Sequence, residues 1–447
     1  MENLRKLREN YEALKAALPW LDCYVTDWQP SWTDVPLTSP VEYRKLRTDS
    51  GNPRLVVQTE HTFDEIEKMA ADAPEINFII ASGDKKLLYH FEIVSQLIAK
   101  YPNLYLCTAN LCNELALERL VAMGLKDKLL FGTMMPYLDP GQALGPLALG
   151  RLDWQTKCDI AGNNFRRLLG ENPVYPSEVP LVKVSPFIVD AHTHSIEDPS
   201  LEKFPPYFGQ AKWEYWQRRM DDMAVTHSFI TPAEKLLTKD ENLISGMCRE
   251  SGGKCRYFEV FDPRDVEASL RDLEQSLPDP MCIGIKIHPS VHQTPGSDER
   301  YANAFEMAAK FNKPIMTHSW GVSDYNPAQQ FATPAQFDTH LNSYPEVTFV
   351  FGHTGGRPNG LPEAVEMCRK HPQCMNDLAG DLFNNGFLQH AISEIGADKL
   401  IFATDIYWID LRCMLAMLFE QHLSDGELYR ILRLNALKTY LPDEKTV

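Results

Sequence analysis

The chain has 447 residues, 44% of them hydrophobic and 23% charged, with a formal net charge of -17; that is length enough for more than one hydrophobic core. No apolar run approaches the roughly 20 residues a bilayer span needs, and the acidic excess disfavours a nucleic-acid or anionic-membrane partner because its field repels phosphates. Ten cysteines are scattered with no CxxC pair, so free thiols in a reducing, cytoplasmic setting are expected.

The N-terminus, "MENLRKLRENYEALKAALPW", reads as a charged amphipathic helix and not as a signal peptide. Residues 1–52 are taken as this helix followed by an extended segment. From 53 to 170 four apolar runs, "VVQT", "NFIIAS", "NLYLCTAN" and "DKLLFGTMMPY", alternate with helical patterns, which predicts a small α/β unit. "GENPVYPSEVPLVKVSP" is Pro-rich and reads as a linker over 171–185.

From 186 to 447 the alternation is longer. Eight strand-like runs, "FIVDAHTHS", "VTHSFIT", "CRYFEVFDP", "CIGIKIHP", "KPIMTHSWG", "VTFVFGHTGG", "QCMNDLAG" and "KLIFATDIY", are separated by patterns such as "PRDVEASLRDLEQSLP" with apolar residues three and four apart. Eight βα units predict a (β/α)8 TIM barrel, preceded by the smaller α/β domain. The last four runs also match the first half: "KLLFGTMMPYLDP" lies in register with "KLIFATDIYWIDL", and the same register sets Asn164 on Asn435. This is an internal repeat. It sets Thr59 opposite His318, Ser82 opposite His353 and Met134 opposite Asp405, and no HxH precedes them. The first half therefore reads as a metal-free half-barrel.

Polar residues end the strands of the second half. His192 and His194 share one face of the first strand, because side chains alternate with a period of two. Lys286 and His288 end the fourth, His318 the fifth, His353 the sixth and Asp405 the eighth. In a barrel these ends gather at one mouth. A lone histidine there is more often a hydrogen-bonded structural residue, but several imidazoles with a carboxylate form the donor set of a borderline divalent ion such as zinc.

These motifs, HTH, GIKIHP, THS, GHTGG and FATD, occur in an order and spacing that resemble the amidohydrolase superfamily. The likeness is to the amidohydrolase-2 branch that includes aminocarboxymuconate-semialdehyde decarboxylase-like enzymes, and it covers residues 186–441. The resemblance implies that His192, His194, His318 and Asp405 hold one divalent metal, expected to be zinc, and that His353 polarises the substrate or assists proton transfer. It also likens the first half to the family's fifth to eighth strands.

The activity so implied is a metal-dependent hydrolase acting on a small organic acid, amide, ester or lactone. The metal lowers the pKa of water from 15.7 towards about 7, and Asp405 accepts the proton. Alternatives left open are a metal-dependent decarboxylase of a small unsaturated acid and a non-catalytic scaffold paralogue. Lys286 either binds a substrate anion or, carbamylated, bridges a second metal; the single ion is the reading taken. His288 touches substrate or a loop. Arg357, Trp320, Tyr325, Trp408 and the loop "FPPYFGQAKWEYWQRR" are candidate substrate contacts for a planar acid or amide, against the blander alternatives of packing and, for Arg357, an ion pair. A half-barrel has raw sheet edges. Either the first fifty residues close it or two chains pair, and a homodimer is the expected partner besides a small-molecule substrate.

Overall fold

The structure is a computed structural model; it describes all residues except 29–40, 84–86, 196–211, 233–242, 407 and 444–447. Two parallel sheets carry the fold. The first has four strands in sequence order, β1 (Arg54–Val57), β2 (Phe78–Ala81), β3 (Leu104–Cys107) and β4 (Leu129–Leu130). The second has eight, also in sequence order: β5 (Ile188–Thr193), β6 (Val225–Ile230), β7 (Cys255–Val260), β8 (Cys282–Ile287), β9 (Ile315–His318), β10 (Phe349–Gly352), β11 (Cys374–Asp377) and β12 (Leu400–Ile401). All eight runs read from the sequence are strands. Helices cover them outside, so most strand residues are buried whichever way they point, as parallel strands require.

The eight strands form a TIM barrel. Ala191 N–H donates to Phe402 O at 3.2 Å and Thr193 bridges Ile406, joining the first strand to the last. Inside, Val189, Ala191, Phe229, Phe258, Ile283, Met316, Val350 and Ile401 fill the lumen. The helix Asn435–Tyr440 plugs its lower end, with the Tyr440 ring 5.4 Å from Phe229 and 5.3 Å from Phe258. A packed floor leaves the strand C-termini as the place where polar groups can meet a ligand.

The edges of the smaller sheet are met within the chain. Residues 22–26 lie beside β4: Cys23 N–H donates to Phe131 O at 2.9 Å and Thr26 N–H to Met135 O at 2.8 Å. Asp22 in turn bridges Tyr43, and Leu55 N–H of β1 donates to Arg47 O at 3.1 Å, so residues 42–47 cross from one edge to the other. Residues 1–52 thus contribute directly to the small sheet. The raw edges that motivated a second chain do not require one.

The two units meet through the helices Gly141–Ala148 and Leu411–Glu420, both fully buried but for Glu420. Glycines permit the approach: a Cβ on Gly145 would lie 2.1 Å from Arg412 O, and one on Gly141 2.7 Å from Met417 N. Asp139 N–H donates to Phe383 O at 2.7 Å beside this contact.

Equivalent contacts recur in both units. Asn164 Nδ2 donates to Lys126 O and Leu129 O, and Asn435 Nδ2 to Ala397 O and Leu400 O, each after a π-turn in the helix. Asp22 accepts from the N–H and hydroxyl of Thr133 as Asp190 does from those of Thr404. Met134 N–H donates to Tyr24 O at 2.8 Å, and Asp405 N–H to His192 O at 2.9 Å. Tyr24 and Thr26 therefore stand where His192 and His194 stand in the barrel.

Candidate metal centre

β5 brings His192 and His194 to the barrel mouth on one face, and the turn after β12 brings Asp405 opposite them. His194 Nε2 lies 2.9 Å from Asp405 Oδ1. Among the described residues, two groups offer three ligand atoms within 4.8 Å of one another: His192, His194 and Asp405, and His192, His353 and Asp377. Asp405 and His353 both adopt left-handed backbone, φ 66° and 65°, a conformation that costs non-glycine residues of order 1–3 kcal/mol and gathers at functional sites.

The histidines are held by their outer nitrogens. His192 Nδ1–H donates to Asp377 Oδ2 at 2.9 Å, His194 Nδ1 lies 3.0 Å from Thr231 O, and His353 Nδ1–H donates to Ala379 O at 3.1 Å. Their Nε2 atoms turn inward, that of His194 to Asp405 Oδ1 and that of His192 to Lys286 Nζ, the arrangement by which a second layer of acceptors fixes tautomer and ring direction for metal binding. Burial, then the positive groups nearby, pushes His192, His288 and His318 well below the ordinary imidazole range, which keeps them neutral and able to donate lone pairs. Burial alone would raise Asp405. The hydrogen bond with His194 and the neighbouring imidazoles more than offset it and hold the carboxyl well below its usual range. The imidazole nitrogens of His192 and His194, facing the Asp405 carboxylate, form a donor set that fits a divalent cation.

The other expected residues surround this cluster. His318 lines the same cavity, with Nε2 2.9 Å from Gln329 Oε1, outside the tight groups. His288 stacks on it at 4.2 Å and 10°, and the Trp320 ring lies parallel to it at 5.9 Å and 3°. Lys286 points into the cluster: buried, its Nζ donates to His192 Nε2 at 3.2 Å, and burial lowers it to about 8 against the pull of Asp377 and Asp405. Arg357 pairs with Asp381 at 2.9 Å beside the Tyr325 ring, so its charge is already met. Trp408 packs on His194 at 4.8 Å. Of "FPPYFGQAKWEYWQRR", residues up to 211 lie outside those described, and the remainder starts the helix Trp213–Asp222.

Together these side chains line a cavity of ≈ 410 Å³, into which Tyr89 and His90 of the smaller unit also reach. Sequence reading missed both, since nothing in "KKLLYH" marks a loop that crosses to another domain. It also missed Asp377, although that carboxylate ends the seventh strand as Asp405 follows the eighth, and Gln329, which sits in a polar connection without periodicity.

A family model described as Amidohydrolase matches residues 189–441. No curated protein matches. Similar solved structures include 2,6-dihydroxybenzoate decarboxylase from Rhizobium, with 14% identity over 58% of this chain and 100% of that one at a TM-score of 0.45. An uncharacterised TIM-barrel protein from Bordetella bronchiseptica shares 14% over 56% and 97%, at 0.47. 5-Carboxyvanillate decarboxylase from Sphingomonas paucimobilis shares 12% over 57% and 99%, at 0.42.

Proposed function

Because the chain belongs to the amidohydrolase family, we propose that its barrel is a metal-dependent enzyme that removes the carboxyl group of a small, planar, unsaturated acid. The observation that carries this reading is one cavity that combines the His192, His194 and Asp405 cluster with the buried Lys286 amine and the parallel rings of His288, His318 and Trp320. A divalent ion held by His192, His194 and Asp405, with His318 closing in as a further ligand, would supply an electrophile for the substrate's oxygens. Zinc and manganese both suit this nitrogen and oxygen donor set.

The chain's own groups do the rest. Lys286, buried with its Nζ at the cluster, would hold the substrate carboxylate. The flat ring stack accepts a conjugated framework face-on. When the bond to the carboxyl carbon breaks, its electron pair stays on the ring or alkene carbon, which then takes a proton as carbon dioxide leaves. His353, with Nδ1–H spent on Ala379 O, has Nε2 available to carry that proton. Tyr89 and His90 border the far side of the cavity, so the smaller unit would contribute to its mouth as a metal-free repeat of the barrel.

Hydrolysis of an ester, lactone or amide is the second reading, favoured by the Asp405 carboxylate beside His194, placed to take a proton from water. The two separate by assay. Metal-loaded protein given a panel of hydroxybenzoates and dienoic acids should release carbon dioxide; turnover confined to lactones or amides, with no carbon dioxide from any acid, would select hydrolysis. No turnover of either set in protein that binds metal would favour a scaffold.

A further inference from the structure

Asp405 depends on a chain of contacts that reaches into the smaller unit. Its neighbour Thr404 donates N–H to Asp190 Oδ1 at 3.1 Å and its hydroxyl to Asp190 Oδ2 at 2.8 Å, while Ile406 N–H donates back to Thr404 Oγ1 at 3.0 Å. Asp190 lies two residues before His192, so one carboxylate ties the β5 end to the turn that carries Asp405. Arg219, 2% exposed, donates Nη2 to Asp190 Oδ2 at 2.9 Å and Nε to Glu114 Oε1 of the smaller unit at 3.3 Å.

The smaller unit shows what the clamp does by itself. Asp22 holds Thr133 in the same way and Met134 takes φ 60°, so the aspartate–threonine clamp suffices to build the turn. Among the described residues no cation faces Asp22, and burial pushes its carboxyl up to about 7. The arginine and glutamate are added only where ligands stand. Their pairing leaves Glu114 Oε2 and Arg219 Nη1 buried without partners. A buried ion pair so incompletely satisfied is a poor device for stability, which leaves specification of geometry as its use.

We propose that Arg219, braced by Glu114 of the smaller unit, is a positioning residue that holds the Asp190 carboxylate against Thr404 and thereby fixes Asp405 for metal binding. The half-barrel is then a part of the metal site's support and not only a cover for the barrel. This rests on the metal site proposed above.

The test is metal binding itself, with zinc affinity measured by chelator competition and the ligand-field spectrum recorded on cobalt-loaded full-length chain. Arg219→Met should weaken zinc on the order of 10–100-fold, as loss of an outer-layer partner does, and shift the cobalt bands. Glu114→Ala should weaken it about tenfold, and Glu114→Gln, which keeps an acceptor for Arg219 Nε, should restore it. Glu118→Ala is the control at the same junction. Glu118 pairs with Arg412 and does not touch Asp190, so affinity should change less than twofold. Glu114→Ala and Glu114→Gln carry the test should Arg219→Met not fold. Wild-type affinity and spectrum in folded Glu114→Ala would overturn the inference, as would equal weakening by Glu118→Ala. A wild-type chain that binds no metal would instead overturn the site itself.

Discussion

The barrel and the smaller four-stranded unit share several contacts and are equipped differently. Both have an aspartate–threonine clamp, Asp190 with Thr404 and Asp22 with Thr133, and both have an asparagine that seals two carbonyls, Asn435 and Asn164. Both reach φ near 60° at the same turn. Yet where the barrel has His192, His194 and Asp405, the smaller unit has Tyr24, Thr26 and Met134, and the Ser82 hydroxyl lies 3.9 Å from the Met134 sulfur where His353 and Asp405 both line the cavity. The contacts common to both are those that satisfy buried backbone groups. Those that differ bear on a ligand. A carboxylate or asparagine within a barrel end is therefore no evidence of chemistry until its partners are known.

The largest effect that would break this comparison is at the ligands. Asp405→Asn should lower turnover by about 10²–10⁴ while much of the metal stays bound, because an amide coordinates but transfers no proton. His192→Ala should lose the ion itself. Elemental analysis should find close to one ion per wild-type chain. Two ions, with the second abolished by Lys286→Ala, would indicate a carbamylated bridge instead. Met134→Asp in the half-barrel should add no metal, since Tyr24 and Thr26 offer no imidazole.

A cut before Val184, removing the half-barrel, should leave the nearly fully buried face of the helix Leu411–Glu420 open to water. Aggregation in sedimentation is the expected result. A monodisperse barrel with full metal affinity would show the two regions to be independent and would count against the role given to Glu114. A milder lesion at the same contact is Gly145→Ala, whose Cβ would meet Arg412 O at 2.1 Å. It should cost ~1–3 kcal/mol, read as a lower melting temperature, while Gly246→Ala, with nothing near its Cβ, should not.

The smallest effect sharpens the contrast between the two aspartates. Asp22 is held up to about 7 by burial, above its unfolded value of about 3.9. Its neutral form is therefore favoured in the folded chain, and the stability it contributes is complete below about pH 3.9 and is lost as pH rises towards 7. Asp22→Asn should reduce the fall in melting temperature across pH 4–7, with a gain on the order of 1 kcal/mol at its upper end. Asp190→Asn, which leaves buried Arg219 short of its carboxylate, should destabilise at every pH in that range.

Much of this architecture is legible before folding. Apolar runs of four to six residues ending in His, Lys or Asp announce parallel strands and their chemical ends, and an HxH on a strand sets two imidazoles on one face whatever the rest of the chain does. Asp377 escaped notice because its role, holding His192 Nδ1, exists only across the barrel. For Arg357, read either as a substrate contact or as half of an ion pair, the packed chain supplies the acid, Asp381, from 24 residues away.

By itself, then, the sequence determined the strand order, the barrel and the strand-end residues that stand at its mouth, because periodicity and strand-end position are local properties carried by neighbours in the chain. Only the tertiary structure decided which of those residues meet and what supports them. Lys286 turns towards His192, His318 rests on Gln329, residues 22–26 stand in for a first strand in the half-barrel, and Glu114 reaches Arg219 across the domain boundary. These pairings join positions 11 to 110 residues apart. They are set by burial and hydrogen-bond satisfaction in the packed molecule, and no period along the chain encodes them.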